Sequence, residues 1–167
     1  MSKSSSLMIS KIGFGGGCHW CTEAVFQSLK GVMKVDQGWI QSDPPHDDYS
    51  EAVVVHYNPT IIPLKTLVEI HLLTHSSTSS HPMRKKYRSA VYFCDPSTKE
   101  LIVQCLETLK LENQKEYITT ALALINFKLN EEQFLDYYKR QPGAPFCRTY
   151  IDPKLKKLRE RFGKVVV

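Results

Sequence analysis

The stretch GFGGGCHWCTEAVFQ, residues 13–27, decides how this chain is to be read. A short apolar strand runs into three consecutive glycines, and a helix-like pattern starts directly after them. Glycines allow the backbone to turn tightly and to approach a ligand closely. A cysteine just past such a turn, here Cys18, has its sulfur near the free N–H groups of the helix N-terminus. That field favours the thiolate, the form that acts as a nucleophile.

Working outward, MISKIGFGG reads as a strand, and helical spacing runs from about Cys18 to Leu29 before Gly31 stops it. VMKVDQGW is a second strand and SDPPHDD a turn-rich loop. EAVVVHY is nearly continuous in apolar β-branched residues, which predicts a strand covered on both faces. NPT introduces a helix with Pro63 in its first turn and Leu64, Leu67, Val68 and Leu72 on one side. A long polar loop, THSSTSSHPMRKK, leads to the strand YRSAVYF. Pro96 and Ser97 open a helix to about Leu111, YITTALALI is a further strand, and a shorter helix runs from Glu131 to Lys139. The loop RQPGAPFCRTYIDP then precedes a terminal amphipathic helix, PKLKKLRERFGK, with a solvated basic face. This order predicts an α+β two-layer sandwich with a ferredoxin-like βαββαβ core, an extra C-terminal helix and coil, and one domain over residues 1–167.

Composition narrows the class. The 167 residues are 42% hydrophobic and 23% charged, ordinary for a soluble globular protein. No apolar run approaches the roughly 20 residues that span a bilayer, and MSKSSSLMIS has no apolar core for a secretory signal. The expectation is a cytoplasmic protein with no membrane association. The net charge of +5 comes partly from the terminal helix. Basic residues are not interleaved with stacking aromatics, so no nucleic-acid partner is expected. Five cysteines, an odd and widely spaced set, argue against a disulfide framework. Cys94 and Cys105 read as core thiols, which leaves Cys18, Cys21 and Cys147.

Several chemistries could use the Cys18 motif. GFGGGC lacks the third glycine of a dinucleotide loop and no GK[ST] follows. Cys18, His19 and Cys21 make half a zinc site, but no second ligand pair exists, so neither metal nor other cofactor is expected. A c-type haem needs histidine where Thr22 stands. A thioredoxin-like CxxC disulfide oxidoreductase remains as a rival, since residues three apart share a helix face.

Taken with GGGCHW, SEAVVVHYNPTII, YRSAVYF and the late PFC, which fall in family order, the chain resembles the peptide methionine sulfoxide reductases of type A. The resemblance implies reduction of the S epimer of methionine sulfoxide, free or in oxidised proteins and peptides. Cys18 would then be the nucleophile that becomes a sulfenic acid, and Glu51 the general acid. An apolar strand beside Glu51 suits that role, because desolvation raises a carboxyl pKa. Tyr87 matches a tyrosine that helps bind the sulfoxide oxygen, and Trp20 the wall of the methyl pocket. His19 stands where the family has phenylalanine, and Tyr49 is the candidate for a second tyrosine from a loop that is shorter here. The family places its resolving cysteine in the region of Cys147, with Cys21 a packing thiol or secondary resolver. Reducing equivalents would come from thioredoxin, to a monomeric enzyme.

Overall fold

Strand β1 (Ser10–Gly15) lies inside a six-stranded sheet and hands the chain through the glycine turn to helix α1 (His19–Gln27). Then follow β2 (Val32–Gln41), β3 (Ser50–Tyr57), α2 (Leu64–Leu73), β4 (Ala90–Phe93), α3 (Lys99–Asn113), β5 (Thr120–Ala123), β6 (Asn126–Leu129), α4 (Tyr137–Arg140) and α5 (Asp152–Phe162). The computed structural model describes residues 9–80 and 82–167; Met8 and His81, placed by sequence in the first strand and the polar loop, lie outside them. The strands stand in the order β5-β4-β1-β3-β2-β6, with β5 parallel to β4 and every other pair antiparallel. The architecture is α+β.

β3 is covered on both faces, as its apolar run predicts. Val53 and Val55 join Ile12, Phe14 and Val91 beneath the helices, whereas Ala52 and Val54 join Ile40, Ala90 and Tyr92 on the other face. α1 sits on the first face through Phe26, whose ring stacks on Phe14 at 4.5 Å. Burying such a side chain stabilises the fold by about 1.5–3 kcal/mol. α2 buries Leu67, Val68, Ile70 and Leu72, and α5 buries Leu155 and Leu158.

Three expectations are corrected. YITTALALI is not one strand: β5 ends at Ala123, and the chain crosses to the other sheet edge before β6. Leu124 N–H donates to Phe93 O (2.9 Å) and Ile125 N–H to Gln41 O (3.0 Å), bridging the ends of β4 and β2. At roughly 3.5 Å per residue, so short a crossing requires the sheet to curl until its two edges nearly meet. The helix expected over Glu131 to Lys139 is broken. A 3-10 turn spans Glu132–Phe134, Asp136 is left-handed (φ 56°), and only then does α4 begin. Cys94 is exposed rather than buried, because β4 stops one residue before it.

The far end of the chain closes back on α1. Lys30 N–H donates to Val165 O (2.7 Å) and Val167 N–H to Ser28 O (2.8 Å), around a bridge between Leu29 and Val166.

Candidate active site

The glycine turn is clamped from outside. Gly16 has φ +145°, and a Cβ there would fall 2.5 Å from the His75 ring, so glycine is required. Arg84 Nη1 donates to Gly16 O and to Tyr87 O, each at 2.8 Å, and His71 Nε2 lies 2.8 Å from Gly15 O. The polar loop before β4 is therefore built around Arg84, which ties Tyr87 to the turn that presents Cys18.

Cys18 is the residue that caps α1. Its pKa is held below the ordinary thiol value, first by the Cys21 thiol donating to it and also by the N–H groups of Trp20 and Cys21. Burial and the nearby Glu51 charge oppose them without reversing the direction. Cys21 is pushed the other way, because its proton is the one in that bond. The largest cause is thus a neighbouring thiol, which the helix-start argument does not reveal.

Glu51, the second residue of β3, lies at the same end of α1 and is only 7% exposed. Its Oε1 accepts the His19 backbone N–H at 3.2 Å, and Lys86 Nζ lies 3.6 Å from its Oε2. Burial raises its pKa above the ordinary carboxyl value, opposed by the His19 N–H and by Lys86. A carboxyl in this state can hold a proton closer to neutrality than a solvated one. His19, 6% exposed, is pushed down to about 4 by burial and then by Lys86, so its ring is neutral at physiological pH.

Cys18 also borders a cavity of about 340 Å³, together with Cys21, Met83, Tyr87, Phe146 and Lys154. Tyr87 therefore shares the cavity with Cys18. Tyr49 does not line it and stands 45% exposed between β2 and β3. Trp20 also does not line it, being stacked on Tyr137 at 4.2 Å and edge-on to Phe146 at 5.4 Å. Cys147 is fully buried, in a π-helical turn (Cys147–Ile151) that runs into α5, and its thiol donates to Gln141 O at 3.1 Å. The proline- and glycine-rich segment thus holds this thiol inside a helical turn. Cys21 and Cys147 belong to one buried cluster, against which Cys18 packs.

Sequence reasoning missed Lys154, read as part of a solvated basic face. It borders the cavity, donates to Thr74 O and carries a cation close to Cys21 and Cys18. It also missed Gln37 and Asn130, neutral amides with no pattern to mark them. Asn130 Nδ2 reaches both Gln37 Oε1 (2.7 Å) and His19 Nε2 (3.3 Å). Glu23, which reads as a solvated charge, is 1% exposed and accepts the backbone N–H groups of Asp136 and Tyr137. Among the described residues no group of three His, Cys, Asp or Glu side chains could hold a metal ion, and no helix is long and apolar enough to cross a membrane.

Residues 10–165 match the family model described as peptide methionine sulfoxide reductase. A relative from Deinococcus radiodurans, named peptide methionine sulfoxide reductase MsrA, is 33% identical over 90% of this chain and 81% of its own. The fold is shared with Mxr1 from Saccharomyces cerevisiae in reduced form, at TM-score 0.70 and 21% identity over 86% of this chain and 92% of that one. It is also shared with Mxr1 in complex with Trx2, at TM-score 0.62 and 20% identity over 76% and 84% of the respective chains.

Proposed function

Because the chain belongs to the peptide methionine sulfoxide reductase family, it is an oxidoreductase that reduces methionine sulfoxide, and we propose that it acts on the S epimer through Cys18. The observation that carries this assignment is the place of Cys18 at the start of α1, bordering the cavity with its pKa held below the ordinary thiol value, while the first N–H of the same helix binds the buried Glu51. The thiolate attacks the sulfoxide sulfur while Glu51 protonates the oxygen. Oxygen passes to Cys18 as a sulfenic acid, and methionine leaves. Tyr87, across the cavity, is a donor for the sulfoxide oxygen.

A second thiol then attacks the Cys18 sulfur and expels water, leaving a disulfide that an external dithiol reduces by exchange. We assign Cys147 as the resolving thiol; its burial requires the π-helical turn to open first. A second reading has Cys21 react first and pass the disulfide to Cys147, and the Cys21 thiol, the strongest influence on the Cys18 pKa, favours it. The complex of yeast Mxr1 with Trx2 supports thioredoxin as the reductant. Five free thiols are consistent with a cytoplasmic setting. Exposed apolar side chains such as Met33 on β2 and Leu111 on α3 lie on separate elements, which supports a monomer.

The test is activity on the separated epimers of a methionine sulfoxide peptide, with dithiothreitol and then with thioredoxin, followed by peptide mapping after one turnover without reductant. Turnover of the S epimer alone and a Cys18–Cys147 peptide are expected. Reduction of neither epimer, with insulin disulfide reduction instead, would establish the CxxC rival. A Cys18–Cys21 peptide, with Cys147→Ser fully recycled by thioredoxin, would move the resolving role to Cys21.

A further inference from the structure

We infer that His19 is a positioning residue for the acid step: its Nδ1–H holds Oε1 of Glu51, leaving Oε2 to carry the proton that goes to the sulfoxide oxygen. This rests on Glu51 being the acid.

The tautomer is set by a chain of amides with fixed ends. Gln37 Nε2 donates to the Phe134 carbonyl at 3.0 Å, so Gln37 Oε1 must face Asn130. Asn130 Oδ1 accepts the Glu131 N–H at 2.8 Å, so its Nδ2 must face the other way. The two Nδ2 protons then go to Gln37 Oε1 at 2.7 Å and to His19 Nε2 at 3.3 Å. An Nε2 that accepts leaves the ring proton of neutral imidazole on Nδ1.

That Nδ1 is buried 3.1 Å from Glu51 Oε1, at hydrogen-bond distance but without the alignment of a bond, and it has no other partner. A buried N–H in this state costs free energy until it finds an acceptor. Catalytic hydrogen bonds of this kind are often misaligned before substrate binds and tighten in the complex. The His19 ring cannot swing away to recover the loss. Its other nitrogen is tied to Asn130, and Trp39 packs edge-on against it at 5.2 Å.

The charged and titratable groups facing Glu51 are Cys18 and His19 from α1 and Lys86 from the segment before β4. Lys86 meets Oε2, the oxygen that His19 leaves free. Its side chain is 55% exposed, so water screens its charge. The His19 donor is buried and unscreened. It favours the carboxylate over the acid, which keeps the pKa of Glu51 from rising as far as burial alone would drive it.

The experiment is the pH profile of single-turnover reduction of an S-sulfoxide peptide for wild type, His19→Phe, His19→Asn and Glu51→Gln. A general acid loses activity as pH rises through its pKa. His19→Phe removes a donor to the carboxylate, so its alkaline limb moves up by about one pH unit while its plateau rate falls. Asparagine places an amide N–H near the position of Nδ1, and His19→Asn keeps the limb at the wild-type pH. A merely structural histidine would lower both plateaus and leave both limbs in place, and that result overturns the proposal while Glu51→Gln remains slow. A fast Glu51→Gln enzyme overturns the acid assignment and the proposal with it.

Discussion

Glu51, beside the start of α1, and Glu23, within α1, are both buried, and burial raises the pKa of both. They differ in what their oxygens meet. Glu23 is bound on both: Oε2 accepts the Asp136 N–H at 2.9 Å and Oε1 the Tyr137 N–H at 3.3 Å. It staples α1 to the start of α4. Glu51 accepts a single backbone N–H, on Oε1, and its Oε2 lies 3.6 Å from Lys86. Burial makes a carboxyl willing to keep a proton, and under the proposed mechanism an oxygen held by no backbone N–H, here Oε2 of Glu51, is what lets it deliver one.

The contrast requires the nucleophile to stand at the Glu51 end of the helix. Cys18→Ser abolishes turnover, because a hydroxyl has neither the low pKa nor the softness to attack sulfur; residual reduction by this variant would break the scheme. Next in size, Glu51→Gln slows single-turnover reduction about 10²- to 10⁴-fold near neutral pH. The loss shrinks at low pH, where solvent supplies protons. Equal rates for wild type and variant at all pH values would exclude the acid role.

Glu23→Ala sharpens the other half. It leaves two partly buried N–H groups without their acceptor and lowers stability by about 1–3 kcal/mol in denaturant unfolding, while the single-turnover rate per folded molecule stays within a few-fold of wild type. The pH dependence has a definite sign. The pKa of Glu23 is raised by folding, so its contribution is fully present below the unfolded value and is lost as pH rises through the folded one. The stability gap between wild type and Glu23→Ala therefore narrows as pH rises from about 4.5. A gap that widened would mean that the N–H bonds, and not burial, dominate its titration. The smallest effect is expected from Lys86→Met. Losing that cation moves the alkaline limb of reduction up by roughly a few tenths of a pH unit, and high salt erases the difference.

What could be read in the sequence follows from the range of the forces involved. EAVVVHY announces a strand buried on both faces because each of its residues carries the signal itself. The glycines before Cys18 mark the proposed nucleophile because turn and helix start are adjacent in the chain. Glu51 is visible as the one charge opening that apolar strand. The break at Asp136 is not visible, since Glu23, which captures its N–H, is far away in sequence. YITTALALI conceals its division because only a curled sheet makes the chain change edges there. The amides of Gln37 and Asn130 read as ordinary polar residues until folding sets them end to end behind His19. Lys154 was lost among identical basic neighbours that do face water.

The seam between Leu29 and Val166 also has a kinetic meaning. It joins points far apart in the chain, so forming it closes a long loop, and the entropy of that closure is recovered only once the sheet and α5 are in place. The seam is therefore absent from the folding transition state. Weakening it with Val166→Gly speeds unfolding and leaves the refolding rate unchanged, a φ-value near zero. It acts as a latch on the lifetime of the folded enzyme and has no part in how quickly that enzyme forms.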